Sequence, residues 1–279
     1  MFQRGWLWLR DQGETELTLF GEGDFNKGLR FADDMGWSFC IKVQDGQNEV
    51  NQGLAQTIRT RRQSLGLRAM PLMGWSTNRD NPSADAQKTN GLIYREGLQG
   101  FVSECEEYKS LDVTSERWKR TGRFVDTAYQ IENGNSILKR YMEAGNWGFC
   151  FLPNEPAGPY MDWKSVQRAK GRGISECYPN EFPTAPSQWP EDAIELASKP
   201  TNPLFPKSYM HPVIGLHNSL IDVTAQRYLT DFWLSKEHGY FTWGFGVYGT
   251  QDMTADDRMA LKAVTAPVTL KSKDNLVLY

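Results

Sequence analysis

Short apolar runs alternate with amphipathic segments along almost the whole chain, and this alternation limits the possible folds more than any other feature. The runs predict strands at 5–9, 37–43, 68–74, 100–107, 147–152, 173–178, 209–216 and 239–245. Helices are predicted at 21–35, 50–65, 83–99, 114–144, 162–170, 222–238 and 254–264. Eight strands alternating with helices are typical of an α/β protein with a parallel sheet closed into a single (β/α)8 TIM barrel, expected here over 1–267, with 268–279 as a tail or extra strand. The alternative is an open doubly wound sheet, but no Gly-rich phosphate-binding motif follows any predicted strand.

One connection differs in composition from the rest of the chain. Seven of the 14 prolines lie between Pro179 and Pro206, directly after the sixth predicted strand. Within it only residues 191–198 are predicted to be helical. A long Pro-rich connection between the sixth strand and the sixth helix of a barrel is either a functional lid or a rigid surface segment. We expect residues 179–208 to cover the carboxyl-terminal mouth of the barrel, because they leave the sheet at that end.

Composition argues against several classes of function. The net charge is −3 and there is no strongly basic run, which disfavours a nucleic acid or an anionic membrane as partner. No apolar run approaches the ~18 residues of a membrane span, and the first residues lack the pattern of a signal peptide. We therefore expect a protein made in the cytoplasm without a cleaved signal. The spacing of the four cysteines matches no zinc motif, and buried free thiols are expected at Cys40, Cys105, Cys150 and Cys177.

The carboxyl ends of the predicted strands carry the candidate site, because functional groups of such barrels lie there. The fourth strand ends in Glu104-Cys105-Glu106, and in an extended strand the two glutamates share one face. Paired carboxylates with flat aromatic side chains are typical of glycoside hydrolysis, in which one carboxyl stays protonated as the acid. The candidate catalytic residues are Glu106, Glu104 and Glu176, and the candidate substrate-binding residues are Asp45, Trp75, Asn78, Asn154, Tyr178, His217, Trp243 and Tyr248. No cofactor is indicated.

The acidic-x-Glu motif of Glu104 and Glu106 at the end of the fourth strand resembles that of lysozyme family 25 and chitinase-type barrels, whose motif is Asp-x-Glu. The resemblance implies that Glu106 donates the proton and that Glu104, which stands where the family has Asp, is its partner. The chain as a whole is similar to the sugar-hydrolase-like barrels of bacteriophage tail proteins, especially those of actinobacteria. That similarity implies a tail-associated virion protein that binds a cell-wall polysaccharide or peptidoglycan and has other tail proteins as partners.

Other interpretations stay open on the residues alone. Glu104 and Glu106 can be structural, with Lys42 on the second strand neutralising Glu104 across the barrel interior. The barrel can also be a non-catalytic structural or adhesion component of a phage tail. A third interpretation is a metal-dependent isomerase or hydrolase using His217 and Glu176, although a core or loop histidine is the better explanation of His217.

Overall fold

The computed structural model describes residues 5–9, 24–77, 81–104, 116–131, 136–144, 146–151, 168–169, 172–177, 210–215 and 245–248. Nine strands lie in these ranges: β1 Gly5–Leu9, β2 Ser38–Asp45, β3 Asn48–Glu49, β4 Leu72–Thr77, β5 Phe101–Glu104, β6 Trp147–Phe151, β7 Arg172–Cys177, β8 Met210–Gly215 and β9 Phe245–Tyr248. The helices are α1 Phe25–Met35, α2 Leu54–Ser64, α3 Pro82–Glu96, α4 Glu116–Gln130 and α5 Ile137–Ala144.

Eight of the strands form one parallel sheet whose pairings return to their starting point. The order runs β1, β2, β4, β5, β6, β7, β8 and β9, and β9 pairs with β1. β3 is a two-residue antiparallel addition to β2. This arrangement, with helices between the strands from β1 to β6 in the described part of the chain, is the predicted (β/α)8 fold. All eight carboxyl ends lie on the same side of the sheet because all eight strands run in the same direction.

The helix boundaries follow from capping residues that are visible in the sequence. Asp24 accepts a hydrogen bond from the backbone nitrogen of Asn26 at 2.9 Å and so begins α1, inside the range predicted for this helix. Gly36 ends this helix with φ +70°, a conformation that glycine adopts without steric cost. The N-cap of α3 is Asn81, which accepts from the backbone nitrogen of Ala84, so the helix begins one residue before the predicted range.

One predicted strand has a different start in the structure. β4 begins at Leu72, whereas the prediction placed this strand at 68–74, because Pro71 has no N–H to donate to the sheet. For the fourth and eighth predicted strands, residues 105–107 and 239–244 lie outside the described part of the chain, within which β5 reaches Glu104 and β9 is Phe245–Tyr248.

The sheet has one face toward the helices and one toward the barrel interior. On the helix side, the Phe101 ring lies 6.2 Å from that of Phe124 in α4, and a Cβ on Gly74 would meet Leu98 at 2.6 Å. The close approach explains why glycine is needed at position 74. The alternate residues, among them Trp8, Cys40, Lys42, Trp75 and Glu104, share the interior face by register.

A β-bulge in β2 changes which polar residues face the interior. The register with β4 shifts between Lys42 and Gln44, so the two residues do not share a face as simple alternation predicts. Gln44 instead accepts a hydrogen bond of 2.6 Å from the hydroxyl of Thr89 in α3, on the helix side. Lys42 is therefore the polar residue that β2 presents to the interior at this level, and Gln44 lies on the opposite face.

The Pro-rich connection and the C-terminal tail lie outside the described residues, so the lid and the extra strand stay predictions. Within the described ranges, no helix has the length and apolar character needed to cross a membrane.

Candidate functional site

Glu104 is the last residue of β5 and the best-defined member of the candidate site. It lies at the carboxyl end of the barrel, level with Thr77, which is its Cα partner on β4. The Thr77 hydroxyl donates a hydrogen bond of 2.6 Å to Oε2 of Glu104. Thr77 is buried and Glu104 is partly exposed, so the hydroxyl holds a carboxylate at the boundary between the interior and the mouth.

Below this pair lies an aromatic layer built by β1, β2 and β4. Trp75 is 6% exposed and its ring lies 5.2 Å from that of Trp8 at an angle of 57°. Its Nε1 donates to the backbone oxygen of Leu9 at 3.1 Å, which ties the end of β1 to β4 across β2. Lys42 Nζ lies 4.8 Å above the Trp75 ring, within the range of a cation–π interaction.

Asp45 ends β2 and lies next to Lys42, the cation of this layer. Asp45 Oδ2 and Lys42 Nζ are 3.8 Å apart, and their side chains are 32% and 19% exposed. The turn after Asp45 is held in place because the backbone nitrogen of Gly46 donates to the oxygen of Thr77 at 2.9 Å. Asn51 donates to the backbone oxygen of Lys42 at 2.8 Å, which fixes the other side of this hairpin.

The sequence interpretation proposed an ion pair between Lys42 and Glu104. In the structure the ion-pair partner of Lys42 is Asp45 on its own strand, and the carboxylate of Glu104 accepts from Thr77. Removing Glu104 therefore leaves Lys42 with a carboxylate partner.

The structure brings three of the predicted site residues, Glu104, Asp45 and Trp75, to the carboxyl ends of adjacent strands. Glu176 lies next to the end of β7 and Tyr248 ends β9, on the same side of the sheet. The remaining predicted site residues lie outside the described part of the chain: Glu106, Asn78, Asn154, Tyr178, His217 and Trp243.

Two residues of this region escaped the sequence analysis. Thr77 is a strand residue of the kind that usually packs without a chemical role, and only the register with β5 places its hydroxyl beside Glu104. Trp8 reads as a core residue of β1, yet its buried Nε1 has no hydrogen-bond acceptor in the structure. A strand ending in a hydroxyl residue next to one ending in a carboxylate is a signal that could have identified Thr77.

The described residues contain no cluster of three or more His, Cys, Asp or Glu side chains able to hold a metal ion. Cys40 is a fully buried free thiol, as predicted, and burial raises its pKa well above the usual value. It therefore stays a neutral thiol at physiological pH and is no nucleophile.

The fold is that of known glycoside-hydrolase barrels. A GH18 chitinase from Pseudoalteromonas aurantia matches with a TM-score of 0.58 and 10% identity, over 92% of this chain and 99% of that one. A class V chitinase from Pseudomonas fluorescens Pf-5 matches with a TM-score of 0.57 and 13% identity, over 93% and 99% of the two chains. The chitinase-like agglutinin RobpsCRA from Robinia pseudoacacia matches with a TM-score of 0.56 and 8% identity, over 94% and 99%. Identities this low establish a common fold and nothing finer.

At the level of sequence, no protein-family model matches the chain, and no curated protein matches it significantly.

Proposed function

We propose that this barrel binds a cell-wall polysaccharide or peptidoglycan at its carboxyl-terminal mouth and hydrolyses a glycosidic bond there. The observation that carries the proposal is the position of Glu104, at the carboxyl end of β5, with its carboxylate held by Thr77. The likeness of the fold to chitinases and to the PgaB (BpsB) glycoside hydrolase domain from Bordetella bronchiseptica supports it.

In the proposed reaction, Glu106 protonates the glycosidic oxygen as the bond to the anomeric carbon breaks. Glu104 is the ionised partner, which stabilises the positive charge developing on the sugar or activates the attacking water or acetamido group. A carboxyl separation of about 5 Å predicts retention at the anomeric carbon, and about 6.5–9.5 Å predicts inversion. The aromatic layer of Trp8 and Trp75 forms the base of the mouth on the β1–β4 side.

The decisive experiment measures release of soluble sugar from a labelled cell-wall preparation by the wild-type protein and Glu106→Gln. The substitution keeps the shape of the side chain and removes its transferable proton, so turnover falls by about 10²- to 10⁴-fold while glycan binding persists. A folded Glu106→Gln variant with wild-type turnover would contradict the assignment. Glu49→Gln, which changes an exposed glutamate of the β3 hairpin, is the matched control.

A non-catalytic role on the same barrel is the second candidate. Two observations favour a non-catalytic role. Glu104 stands where the motif of lysozyme family 25 and chitinase-type barrels has the shorter Asp, and the fold is similar to that of a chitinase-like agglutinin. Binding of the glycan with no release of sugar, and identical binding by wild type and Glu106→Gln, is the result expected for it.

We extend the proposal to the place of action: a bacteriophage tail, where a virion protein reaches an external glycan without secretion. The support for this is a resemblance of the overall sequence pattern to the barrels of tail proteins, which rests on no diagnostic motif. Quantitative mass spectrometry of purified virions tests it, and a structural or adhesion component is expected in fixed multiple copies per particle.

A further inference from the structure

Thr77 and Glu104 form a hydrogen bond between side chains of two neighbouring strands. In the described part of the barrel mouth, it is the shortest hydrogen bond of this kind. The two residues are Cα partners on neighbouring parallel strands, so the register itself holds hydroxyl and carboxylate at the same level. The distance of 2.6 Å between Oγ1 and Oε2 is in the range of a hydrogen bond from a hydroxyl to a charged oxygen.

We propose that Thr77 is a positioning residue that keeps the carboxylate of Glu104 ionised and in one orientation. This inference rests on the proposed function for its catalytic consequence, but the charge state of Glu104 can be measured without any activity. Thr77 acts through Glu104 and needs no contact with the substrate.

On its own strand, Glu104 has no polar neighbour beneath it. The residue two positions earlier on the same face of β5 is Val102, which is fully buried and offers no polar group. A partly buried carboxylate loses part of its hydration, and a donated hydrogen bond offsets part of that cost. Thr77 supplies that bond from the neighbouring strand, and burial of its own side chain limits its rotation.

In the strand register and along the chain, the ionisable residues next to Glu104 come from several elements. Lys42 and Asp45 on β2 form an ion pair with each other, two strands away. Cys150 is the Cα partner of Glu104 on β6, and Glu176 belongs to β7, one strand further. Glu106 follows on the chain. None of these five is on β4, where the neighbour of Glu104 is the uncharged Thr77.

The proposal predicts opposite results for two substitutions at position 77. Thr77→Val removes the hydroxyl and keeps the shape of the side chain, so the ionised form of Glu104 loses this hydrogen bond. We expect the pKa of Glu104 to rise by about 1–2 units, which corresponds to the free energy of one charge-assisted hydrogen bond. Thr77→Ser keeps the hydroxyl, so the pKa of Glu104 should stay within about 0.3 units of the wild-type value. This difference is smaller than the shift expected when the hydrogen bond is lost.

The matched control is Thr89→Val. Thr89 is as buried as Thr77, and its hydroxyl also donates a 2.6 Å hydrogen bond to a side-chain oxygen, that of Gln44, but on the helix side of the sheet. This substitution has the same chemistry and a similar effect on folding, and it leaves the pKa of Glu104 unchanged.

The test is a carbon-13 NMR titration of the glutamate carboxyl groups in the full chain, with Glu104 assigned by Glu104→Gln. A rise in the Glu104 pKa in Thr77→Val, absent from Thr77→Ser and Thr89→Val, supports the proposal, and an unchanged value in a folded Thr77→Val overturns it.

If the wild type releases sugar, the acidic limb of its pH–rate profile should shift to higher pH in Thr77→Val. A shift of one unit lowers the rate about tenfold at pH values below the Glu104 pKa of both proteins, and has little effect above them. A raised Glu104 pKa in Thr77→Val, together with no sugar release by the wild type, refutes the proposed hydrolysis and leaves the role of Thr77 intact. Sugar release by the wild type, together with an unchanged Glu104 pKa in Thr77→Val, refutes only the role of Thr77.

Discussion

Two partly buried glutamates, Glu96 on the helix shell and Glu104 at the barrel mouth, show how differently one side chain is used in this molecule. Both oxygens of Glu96 accept the backbone N–H of Gly53 at 3.2 Å, at the N-terminus of α2. Glu104 accepts instead from a side-chain hydroxyl on the neighbouring strand. Glu96 is bound by a backbone N–H, which is present whatever the neighbouring side chains are, whereas the hydrogen bond from Thr77 to Glu104 depends on which side chain the sequence places at position 77.

The surroundings of Glu96 form a clasp between α2 and α3. Arg59 of α2 donates to the backbone oxygens of Glu96 and Gly97 at 2.8 and 2.6 Å, which caps the C-terminus of α3. Glu96 in return places a negative charge at the N-terminus of α2, where the helix dipole favours it. Each helix thus satisfies the free backbone groups of the other, which is a structural task that leaves no carboxylate oxygen for a ligand.

The comparison teaches that burial and charge alone do not identify a site residue. Glu96 is 8% exposed and more buried than Glu104, yet it is the structural member of the pair. The difference lies in the donors: a backbone N–H at a helix terminus holds Glu96, whereas a side-chain hydroxyl holds Glu104 at the carboxyl end of a barrel strand, the end at which the functional groups of such barrels lie.

The test with the largest expected effect makes the same glutamate-to-glutamine substitution at positions 104 and 96. We expect Glu104→Gln to lower glycan turnover by about 10²- to 10⁴-fold, because the amide carries no charge, with a melting temperature close to that of wild type. Glu96→Gln should keep turnover and lose about 1–3 kcal/mol of unfolding free energy, because one acceptor at the start of α2 becomes a donor.

Urea unfolding and the sugar-release assay on both variants measure the two effects. If Glu104→Gln instead costs roughly 3–5 kcal/mol of stability and leaves turnover alone, Glu104 is the structural residue and the comparison fails.

Substitutions of Trp75 test how much the barrel interior beneath Glu104 contributes to stability and to glycan binding. Trp75→Ala is expected to cost about 3–5 kcal/mol, because it empties a buried volume against Trp8 and removes the hydrogen bond to Leu9. It should also weaken glycan binding, since the layer that supports the mouth is lost.

Trp75→Phe separates the two contributions, because it keeps a ring beside Trp8 and removes only the donor to Leu9. We expect a loss of about 1 kcal/mol in urea unfolding and retained binding. A Trp75→Ala protein that is as stable as wild type and has lost binding would show that the ring faces ligand instead of supporting the interior.

The smallest expected effect concerns Glu49 in the β3 hairpin, near the clasp. The hydrogen bond from Arg95, at 2.8 Å, is the main cause that lowers the pKa of Glu49, and the charges of Arg95 and Lys88 add to it. Because the folded-state pKa is the lower one, the stabilisation is present above the unfolded-state value and is lost as the pH falls through the folded-state value.

We therefore expect Glu49→Gln to lower the melting temperature slightly at pH 7 and to match wild type below the folded-state pKa. The difference should also shrink in about 1 M salt, because the pair is on the surface. Thermal melts across acidic pH measure this, and a difference that persists at the acid extreme would show that Glu49 contributes by contacts other than its charge.

The sequence by itself determined the class of fold and many local boundaries. The alternation of apolar runs and amphipathic segments predicts the parallel strands, and the capping chemistry of Asp24 and Gly36 places α1. These signals are readable because helix caps and hydrophobic periodicity depend on residues a few positions apart. The position of Glu104 at the end of a strand follows from the same local pattern.

The tertiary structure decided where a strand begins and what its residues meet. β4 begins only at Leu72, and a bulge turns Gln44 toward Thr89. Each of these depends on a neighbouring strand or helix that is distant in sequence, because a strand continues only while it has a partner and its register sets which side chains align. The bond between Thr77 and Glu104 is of this kind: 27 residues separate the two in sequence, and only the register of two parallel strands brings hydroxyl and carboxylate together.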